Sequence, residues 1–345
     1  MIIGCDFHPS WQQIAWLDTE TGETGEQKLA NAGGDAERFY RQLPAPVLIG
    51  MESTGNSHWL VDLLAELGHE LWVGDAGQIR ASYVRRQKTD KRDAGHILKL
   101  LVEGRFPRVW MPSSEVRDLR QLLLHRHKLV VIRARVKNEL QHLCLNKGVQ
   151  CKRKLWTKVG QQMLCELRLR PWAGRRRDDL LGLLAMLDRQ IDPLDEAVKA
   201  EAQRDKRALL LQTQPGVGPI TALAYVLTMG DVTRFPRGKQ VASYLGLIPR
   251  EHSSGGRQHL GAISKQGNRM LRMLLVEAAQ TAVRLDPEFR KEYQHRCHQK
   301  PKAVAKVAAA RKLAVRLYWM LRTQQAYPEV VRIESSPRVR LVGEN

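Results

Sequence analysis

The 345-residue sequence has no apolar run near the ~20 residues that a bilayer-spanning helix needs, so no membrane partner is expected. Its opening residues, Met1-Ile2-Ile3-Gly4-Cys5-Asp6, lack the basic and then long apolar stretches of a secretory signal. A cytoplasmic protein is therefore expected. There are five cysteines and no Cys-x-x-Cys pair, which reads as reduced thiols and not as a disulfide framework. Structural zinc is not expected either. His125 and His127 stand two apart, His142 with Cys144 and Cys151 lacks a fourth ligand at zinc spacing, and Cys297-His298 is isolated. Low-complexity tracts and internal repeats are absent. Negative charge is also short, with 36 Asp and Glu against 56 Lys and Arg, a net charge of +20 and a pI near 10.1. That imbalance calls for a polyanionic partner, and with the membrane set aside this means DNA or RNA.

What is present suits a folded protein of two or three domains, with 43% hydrophobic residues and length enough to bury a real core. The charge is unevenly placed. Met1 to Asp75 carries 3 basic and 12 acidic side chains, net −9, whereas the remainder carries 53 and 24, net +29. An acidic lobe on a basic body is odd for a simple nucleic-acid glove. It makes sense if the lobe binds metal while the body holds a phosphate backbone, although most of the twelve acids are solvated surface.

The first hundred residues alternate strand and helix signals. Ile2 to Asp6, Gln12 to Leu17 and Gln27 to Ala30 read as strands. Asp35 to Leu43 has helical spacing, Val47 to Met51 reads as a buried strand, and Trp59 to Leu67 is a helix closed by Gly68. Glu70 to Val73 is another strand, followed by helices through Ile79 and Tyr83 and from Asp93 to Gly104. Three strands, helix, strand, helix, strand, helices is the order of an α/β RNase H-like fold. From Glu115 to about Asn146 one long amphipathic helix is expected. A basic connector through Pro171, Gly174 and Arg175-Arg176-Arg177 leads to a second helix from Asp178 to about Arg204, weakened by Pro193. Together they suggest a projecting α-hairpin or coiled coil. Mixed short helices are expected to Leu321, and a poorly ordered, Arg-rich tail beyond Pro328.

Four acids stand at element ends. Asp6 ends the first strand and Glu52 ends the strand Val47 to Met51, which lies beside the first in an RNase H-like sheet. Asp90 and Asp93, three apart at a helix start, share a face. Four carboxylates offer the hard oxygen ligands that Mg²⁺ or Mn²⁺ prefers, and two such ions ~4 Å apart can serve an in-line phosphoryl displacement. Any one of these acids reads equally well as a helix cap; the four together do not. Arg85, Arg86, Lys88, Lys91 and Arg92 guide phosphates or simply neutralise the acids. A Gly-x-Gly turn at Gly216 and Gly218 before a helix is what a helix-hairpin-helix presents to a DNA backbone, or else only a helix connection. In the loop Gly246 to Arg257, followed by Ser264-Lys265-Gln266-Gly267-Asn268, a serine among Arg257, Lys265, His252 and His259 could be a nucleophile. Composition alone reads it as a flexible loop. Trp110, Trp156 and Trp172 lie near basic residues, where they could stack on bases or pack.

Ile3-Gly4-Cys5-Asp6, Gly50-Met51-Glu52-Ser53-Thr54-Gly55 and Lys88-Thr89-Asp90-Lys91-Arg92-Asp93-Ala94 resemble the catalytic blocks of the DEDD transposases. Gln214-Pro215-Gly216-Val217-Gly218 and Gly246-Leu247-Ile248-Pro249 with Ser254-Gly255 resemble the C-terminal domain of the same group, the one-hundred-and-ten insertion-sequence family. The resemblance runs in order along nearly the whole chain. It implies a RuvC-like catalytic domain over 1–110, a coiled-coil and basic helical region over 111–207, a mainly α C-terminal transposase domain over 208–327 and a flexible tail over 328–345. It further implies a Mg²⁺ or Mn²⁺ cofactor and a homodimer or homotetramer joining the tetrad of one subunit with the serine of another. The implied partners are donor and target DNA and a structured bridge RNA acting as guide, in a bacterial, nucleoid-associated setting. Carried onto this sequence, the nucleophile falls on Ser254, with Ser253 directly before it.

Two other readings compete. In a nuclease resembling a Holliday-junction resolvase, the tetrad activates water and the serine is structural. A non-catalytic nucleic-acid scaffold would bind with steep salt dependence and ignore loss of the acids.

Overall fold

The structure is a computed structural model, and it describes residues 1–83, 90–150, 152–251, 253 and 257–335. The chain divides into two compact units, Met1–Ser114 and Glu115–Asn345.

The first unit is built on a five-stranded sheet of β1 (Ile2–Phe7), β2 (Trp11–Leu17), β3 (Thr24–Ala30), β4 (Leu48–Glu52) and β5 (Glu70–Gly74) in the order β3-β2-β1-β4-β5. β1 runs antiparallel to β2 and parallel to β4, and the last register pair of the parallel couple is Cys5↔Met51. Asp6 and Glu52 therefore stand one residue beyond it, side by side at the same sheet edge. The helices are α1 (Asp35–Gln42), α2 (His58–Glu66), α3 (Ala76–Ala81) and α4 (Asp90–Val102). Alternation along each strand sorts side chains to two faces. Ile3, Cys5, Ile49 and Met51 pack with Tyr40 of α1 and Leu60 and Leu64 of α2. On the other face Ile97, Leu100 and Leu101 of α4 pack with Ile79 and Phe106 over Ile2 and Leu48. Glycine sets the height of α4 above the sheet. A Cβ on Gly4 would lie 2.3 Å from the carbonyl oxygen of Ala94 and 2.4 Å from the amide nitrogen of Leu98.

In the second unit α5 (Ser114–Leu145) and α7 (Pro171–Arg204) form an antiparallel pair, with a 3-10 turn at Lys152–Trp156 and α6 (Lys158–Glu166) between them in sequence. Val136, Leu140 and Leu143 of α5 meet Leu184, Leu187 and Ile191 of α7 in a core that also takes in Leu155 and Leu164. Arg126 pairs with Asp195, Arg133 with Asp188 at 3.0 Å and Arg176 with Glu139 at 2.8 Å. Part of the basic charge on these helices thus cross-braces the pair. α7 starts seven residues before the expected Asp178, because Pro171 takes the first helical position, where its missing N–H costs nothing. Arg175-Arg176-Arg177 is accordingly helix and not connector. Pro193 lies inside an unbroken α7, between Ile191 and Val198, both 0% exposed. Burial there offsets the lost backbone hydrogen bond.

The rest of the unit comprises α8 (Lys206–Gln212), α9 (Pro219–Met229), α10 (Gly238–Tyr244), the hairpin β6 (Pro249–Glu251) and β7 (Leu260–Ile263), α11 (Arg269–Leu285), α12 (Pro287–Gln299), α13 (Lys302–Thr323) and α14 (Tyr327–Ser335). These helices are not uniformly short, as the sequence pattern suggests. α13 has 22 residues and puts Leu313, Ala314, Leu317 and Tyr318 at the centre of the core with Tyr225 of α9 and Leu275 of α11. The tail also departs from expectation. α14 begins it, with Val330 only 3% exposed and the Tyr327 hydroxyl donating to Asp286 at 2.6 Å. Residues 336–345 lie outside the described residues.

Candidate active site

At the edge where β1 and β4 end, Asp6 projects with its side chain 15% exposed. His8 Nε2 lies 3.3 Å from Asp6 Oδ2 and 4.0 Å from Asp90 Oδ1. One ligand atom from each of these three residues falls within 4.8 Å of the others. That spacing suits a cation held between two carboxylates and an imidazole. Burial raises the Asp6 carboxyl above its usual range; His8 works against this, and the carboxylates of Asp93 and Asp90 add to it. A cation would relieve both the burial and the like-charge repulsion, so the donor set fits a divalent metal.

Asp93 lies one turn along α4 from Asp90 and is buried, 4% exposed, because α4 rests on Gly4. Its carboxylate accepts a 2.7 Å hydrogen bond from the Tyr83 hydroxyl. Tyr83 stacks on His96 at 4.0 Å between ring centres, and His96 Nε2 lies 2.7 Å from Ser82 Oγ. The Tyr83 hydroxyl is pushed well above its usual pKa by burial, by its bond to Asp93, and by the charges of Asp93, Asp6 and Glu52. Glu52, at the end of β4, therefore contributes to the same negative field. The structure brings Asp6, Glu52, Asp90 and Asp93 to one edge of the sheet.

Sequence reasoning missed His8 and Tyr83. His8 had a signal, since Asp6-x-His8 is the two-residue spacing that puts side chains on one side of an extended strand. Nothing in the local sequence marks Tyr83, which reaches Asp93 from just beyond the end of α3. Beneath the site, Gln12 (0% exposed) accepts from the Cys5 thiol at 3.2 Å and from the Tyr40 hydroxyl at 2.7 Å, and donates to Asn31 at 3.1 Å. Asn31 donates in turn to the His8 carbonyl at 2.7 Å. This chain fixes the backbone that carries His8. Burial pushes the Cys5 thiol up to about 12, so it is an inert part of the brace.

Of the expected phosphate guides, Arg85, Arg86 and Lys88 lie outside the described residues. Lys91 and Arg92 are exposed at the start of α4, with Lys91 3.6 Å from Glu26. In the Gly-x-Gly turn between α8 and α9 the two glycines differ. A Cβ on Gly216 (φ 87°) would meet the Ala278 carbonyl at 2.5 Å and the Ala282 nitrogen at 2.6 Å, so this glycine serves packing against α11. Gly218 caps α9, with open space where a side chain would stand. Ser254, between β6 and β7 in sequence, lies outside the described residues. The neighbouring Ser253 is engaged, donating to Glu251 at 2.6 Å and accepting from the His259 amide at 3.3 Å. Arg257 is exposed nearby, and Lys265 is exposed with left-handed backbone (φ 58°).

A DEDD transposase family model of the IS110 group matches residues 3–147, and the transposase IS116/IS110/IS902 family model matches residues 208–294. A Pseudomonas aeruginosa protein named "Probable family 20 transposase" is 31% identical over 332 residues, 94% of this chain and 97% of that one. The chain belongs to the IS110 family of DEDD transposases. The transposase for insertion sequence element IS1328 of Yersinia enterocolitica is 28% identical, covering 81% of this chain and 84% of its own. The transposase for element IS1111A of Coxiella burnetii is 32% identical over 206 residues, 59% of this chain and 57% of its own. The first matched region contains all four acids, and the second contains the Gly-x-Gly turn and the serine hairpin. This transposase is thus an enzyme acting on DNA, and the scaffold reading falls. Membership of the DEDD group implies a divalent metal, which agrees with the donor set at Asp6, His8 and Asp90. Among the described residues no helix of the transposase is long and apolar enough to cross a membrane.

Proposed function

We propose that this transposase cuts and rejoins DNA through a covalent serine intermediate at a metal centre formed by Asp6, Glu52, Asp90 and Asp93, with His8 beside them. The observation that carries the reading is that β1 and β4 end side by side near the first turn of α4, with Asp6, His8 and Asp90 close enough to share one ion. The strand order, with β1 antiparallel to β2 and parallel to β4, supports an RNase H-like, RuvC-like domain over residues 1–110. Residues 111–207 are then the coiled-coil region and 208–327 the C-terminal transposase domain. Bound Mg²⁺ or Mn²⁺ supplies charge neutralisation at the scissile phosphate.

The chain's own residues do the rest. Asp6, Glu52, Asp90 and Asp93 supply the oxygen ligands, and Tyr83 holds the Asp93 carboxylate in place. The Ser254 hydroxyl attacks phosphorus, a phosphoserine bond forms, and the bond to the departing deoxyribose oxygen breaks. The serine proton leaves and the departing oxygen gains one, so no hydrolysed end is produced. Attack by an incoming strand's hydroxyl reverses these bonds and frees the serine. Ser254 is favoured over Ser253 because it stands directly before Gly255, as the serine of the family does. Lys91, Arg92, Gly218, Arg257 and Lys265 contact backbone phosphates, as do Arg85, Arg86 and Lys88. A structured guide RNA, a dimer or tetramer and a nucleoid location complete the proposal.

Trapping the protein–DNA adduct tests the chemistry. Wild type and Ser253→Ala form adduct; Ser254→Ala does not. Adduct and recombinant from Ser254→Ala would overturn the assignment and leave water as the nucleophile. Mixing Asp6→Asn with Ser254→Ala protein tests whether two subunits share a site. Recombination returns in the mixture if they do, and stays lost if each chain must supply both.

A further inference from the structure

The end of the helical pair away from the core of α8–α13 carries a feature that neither the metal centre nor the serine loop explains. Trp172, at the second position of α7, is 86% exposed. The apolar residues farther along α7, Leu184, Leu187 and Ile191, are buried against α5. A single exposed apolar residue is ordinary, but this indole is contiguous with Pro171, Leu180 and Leu183 in one hollow, and such a patch is a contact surface. The ring borders an open hollow of about 780 Å³ lined by Pro171, Leu180 and Leu183, by Arg175 and Arg176, and by Glu139 and Asp179. Arg175 bonds Asp179 at 3.0 Å and Arg176 bonds Glu139 at 2.8 Å, so these two arginines are engaged within the lining. Arg168 and Arg170 are exposed just ahead of the helix and make no ion pair among the described residues. Residues 147–179 hold ten basic side chains and three acidic.

We infer that this tip is a stacking platform for an unpaired base of a nucleic-acid strand, with Trp172 as the face and Arg168 and Arg170 as phosphate contacts. It rests on the reading that the transposase works with a nucleic-acid partner, and adds where and how a strand is held. Charge selects among occupants. A second copy of the chain would set two segments of net charge +7 against each other, whereas a polyanion is attracted. An exposed indole needs an unstacked base face, which a duplex does not offer. Tryptophan with arginine beside it combines ring stacking with cationic neutralisation of the same strand.

The test uses the full chain, in EDTA, titrated into a fluorescein-labelled oligouridylate, the matching oligodeoxythymidylate and a blunt RNA duplex. Trp172→Ala should weaken oligouridylate binding about 5- to 100-fold, the range of stacking on one base, and Trp172→Phe should restore most of it. Duplex binding should not move, and an unchanged Tm shows that the variant is folded. Equal affinity of Trp172→Ala and wild type for oligouridylate overturns the proposal. Trp172→Ala should weaken oligodeoxythymidylate binding as well, because ring stacking does not read the sugar. A change in sedimenting mass with oligouridylate affinity unmoved would make the tip a protein contact, and again the proposal falls. Without metal no strand is cut, so failure here leaves the serine and metal reading standing, and adduct trapping remains its separate test.

Discussion

Asp6 is held where burial and the carboxylates of Asp90 and Asp93 all oppose its charge. Its folded pKa is raised, so its ionised form is disfavoured in the native state at neutral pH; the contribution is favourable only where the carboxyl is protonated, below an ordinary aspartate's ~3.9. In metal-free buffer Asp6→Asn should therefore raise Tm at pH 7, with the gain vanishing toward pH 3. Added Mg²⁺ or Mn²⁺ should raise the Tm of wild type and leave Asp6→Asn unmoved. Differential scanning fluorimetry with and without metal checks both, and a metal-induced rise of equal size in the variant would remove Asp6 from the ligand set. Tyr83 is the second residue to probe, because its 2.7 Å bond orients Asp93. Partners of metal ligands are commonly worth 10- to 100-fold in metal affinity or activity. Tyr83→Phe should raise the metal concentration needed for half-maximal activity by about that factor, with maximal rate at saturating metal changed much less. A lowered maximal rate at unchanged metal demand would count against a positioning role.

At the scale of elements, the active site depends on how closely α4 lies on β1. Gly4→Ala would press a methyl into the backbone of Ala94 and Leu98. Overpacking of that kind costs about 1–3 kcal/mol or more. The prediction is a lower urea midpoint together with loss of activity, since α4 carries both Asp90 and Asp93. Full activity in Gly4→Ala would show that the helix can lift without moving its acids. Asp205 tests a second element. Its side chain caps α8, accepting from the Arg207 and Ala208 amides at 2.8 and 3.4 Å. Burial works against its charge, but the Arg207 guanidinium and these amides hold its carboxyl below the usual range. A depressed folded pKa means the stabilisation is present above ~3.9 and is lost as pH falls below it. Asp205→Ala should cost about 1 kcal/mol at pH 7, measured by urea denaturation, and the difference from wild type should shrink toward pH 3.

For the whole molecule the governing quantity is charge. Beyond Asp75 the chain carries 53 basic and 24 acidic side chains, and some of the arginines are spent on pairs such as Arg126–Asp195 and Arg133–Asp188. Enough remain for DNA affinity to be dominated by counterion release. A protein neutralising six to ten phosphates loses about 10³- to 10⁵-fold in affinity between 50 and 200 mM salt. Filter binding of duplex DNA across that range should fall by a factor of about that size, and the Asp6→Asn variant should follow the same slope. A nearly flat salt response would mean that the basic surface is not what holds DNA.

The sequence alone was enough to determine the order of strands and helices in the first hundred residues, because hydrophobic periodicity is a local property. It was likewise enough to mark Asp6, Glu52, Asp90 and Asp93, each at the end of an element. The long helix α5 was readable for the same reason. Where local rules met tertiary contacts, the contacts won. Pro193 stayed inside α7 because Ile191 and Val198 are buried on either side of it. Arg175 to Arg177 became helix because Pro171 starts one, and α14 formed because Val330 and Tyr327 find the core and Asp286. Gly216 read as an opening for phosphate, and the packed structure gives it to the backbone of α11. Only the tertiary structure joined His8 to Asp90 and Tyr83 to Asp93, since those meetings depend on how far α4 descends onto β1. That distance is set by a missing side chain at Gly4, a contact between segments ninety residues apart that no local pattern contains.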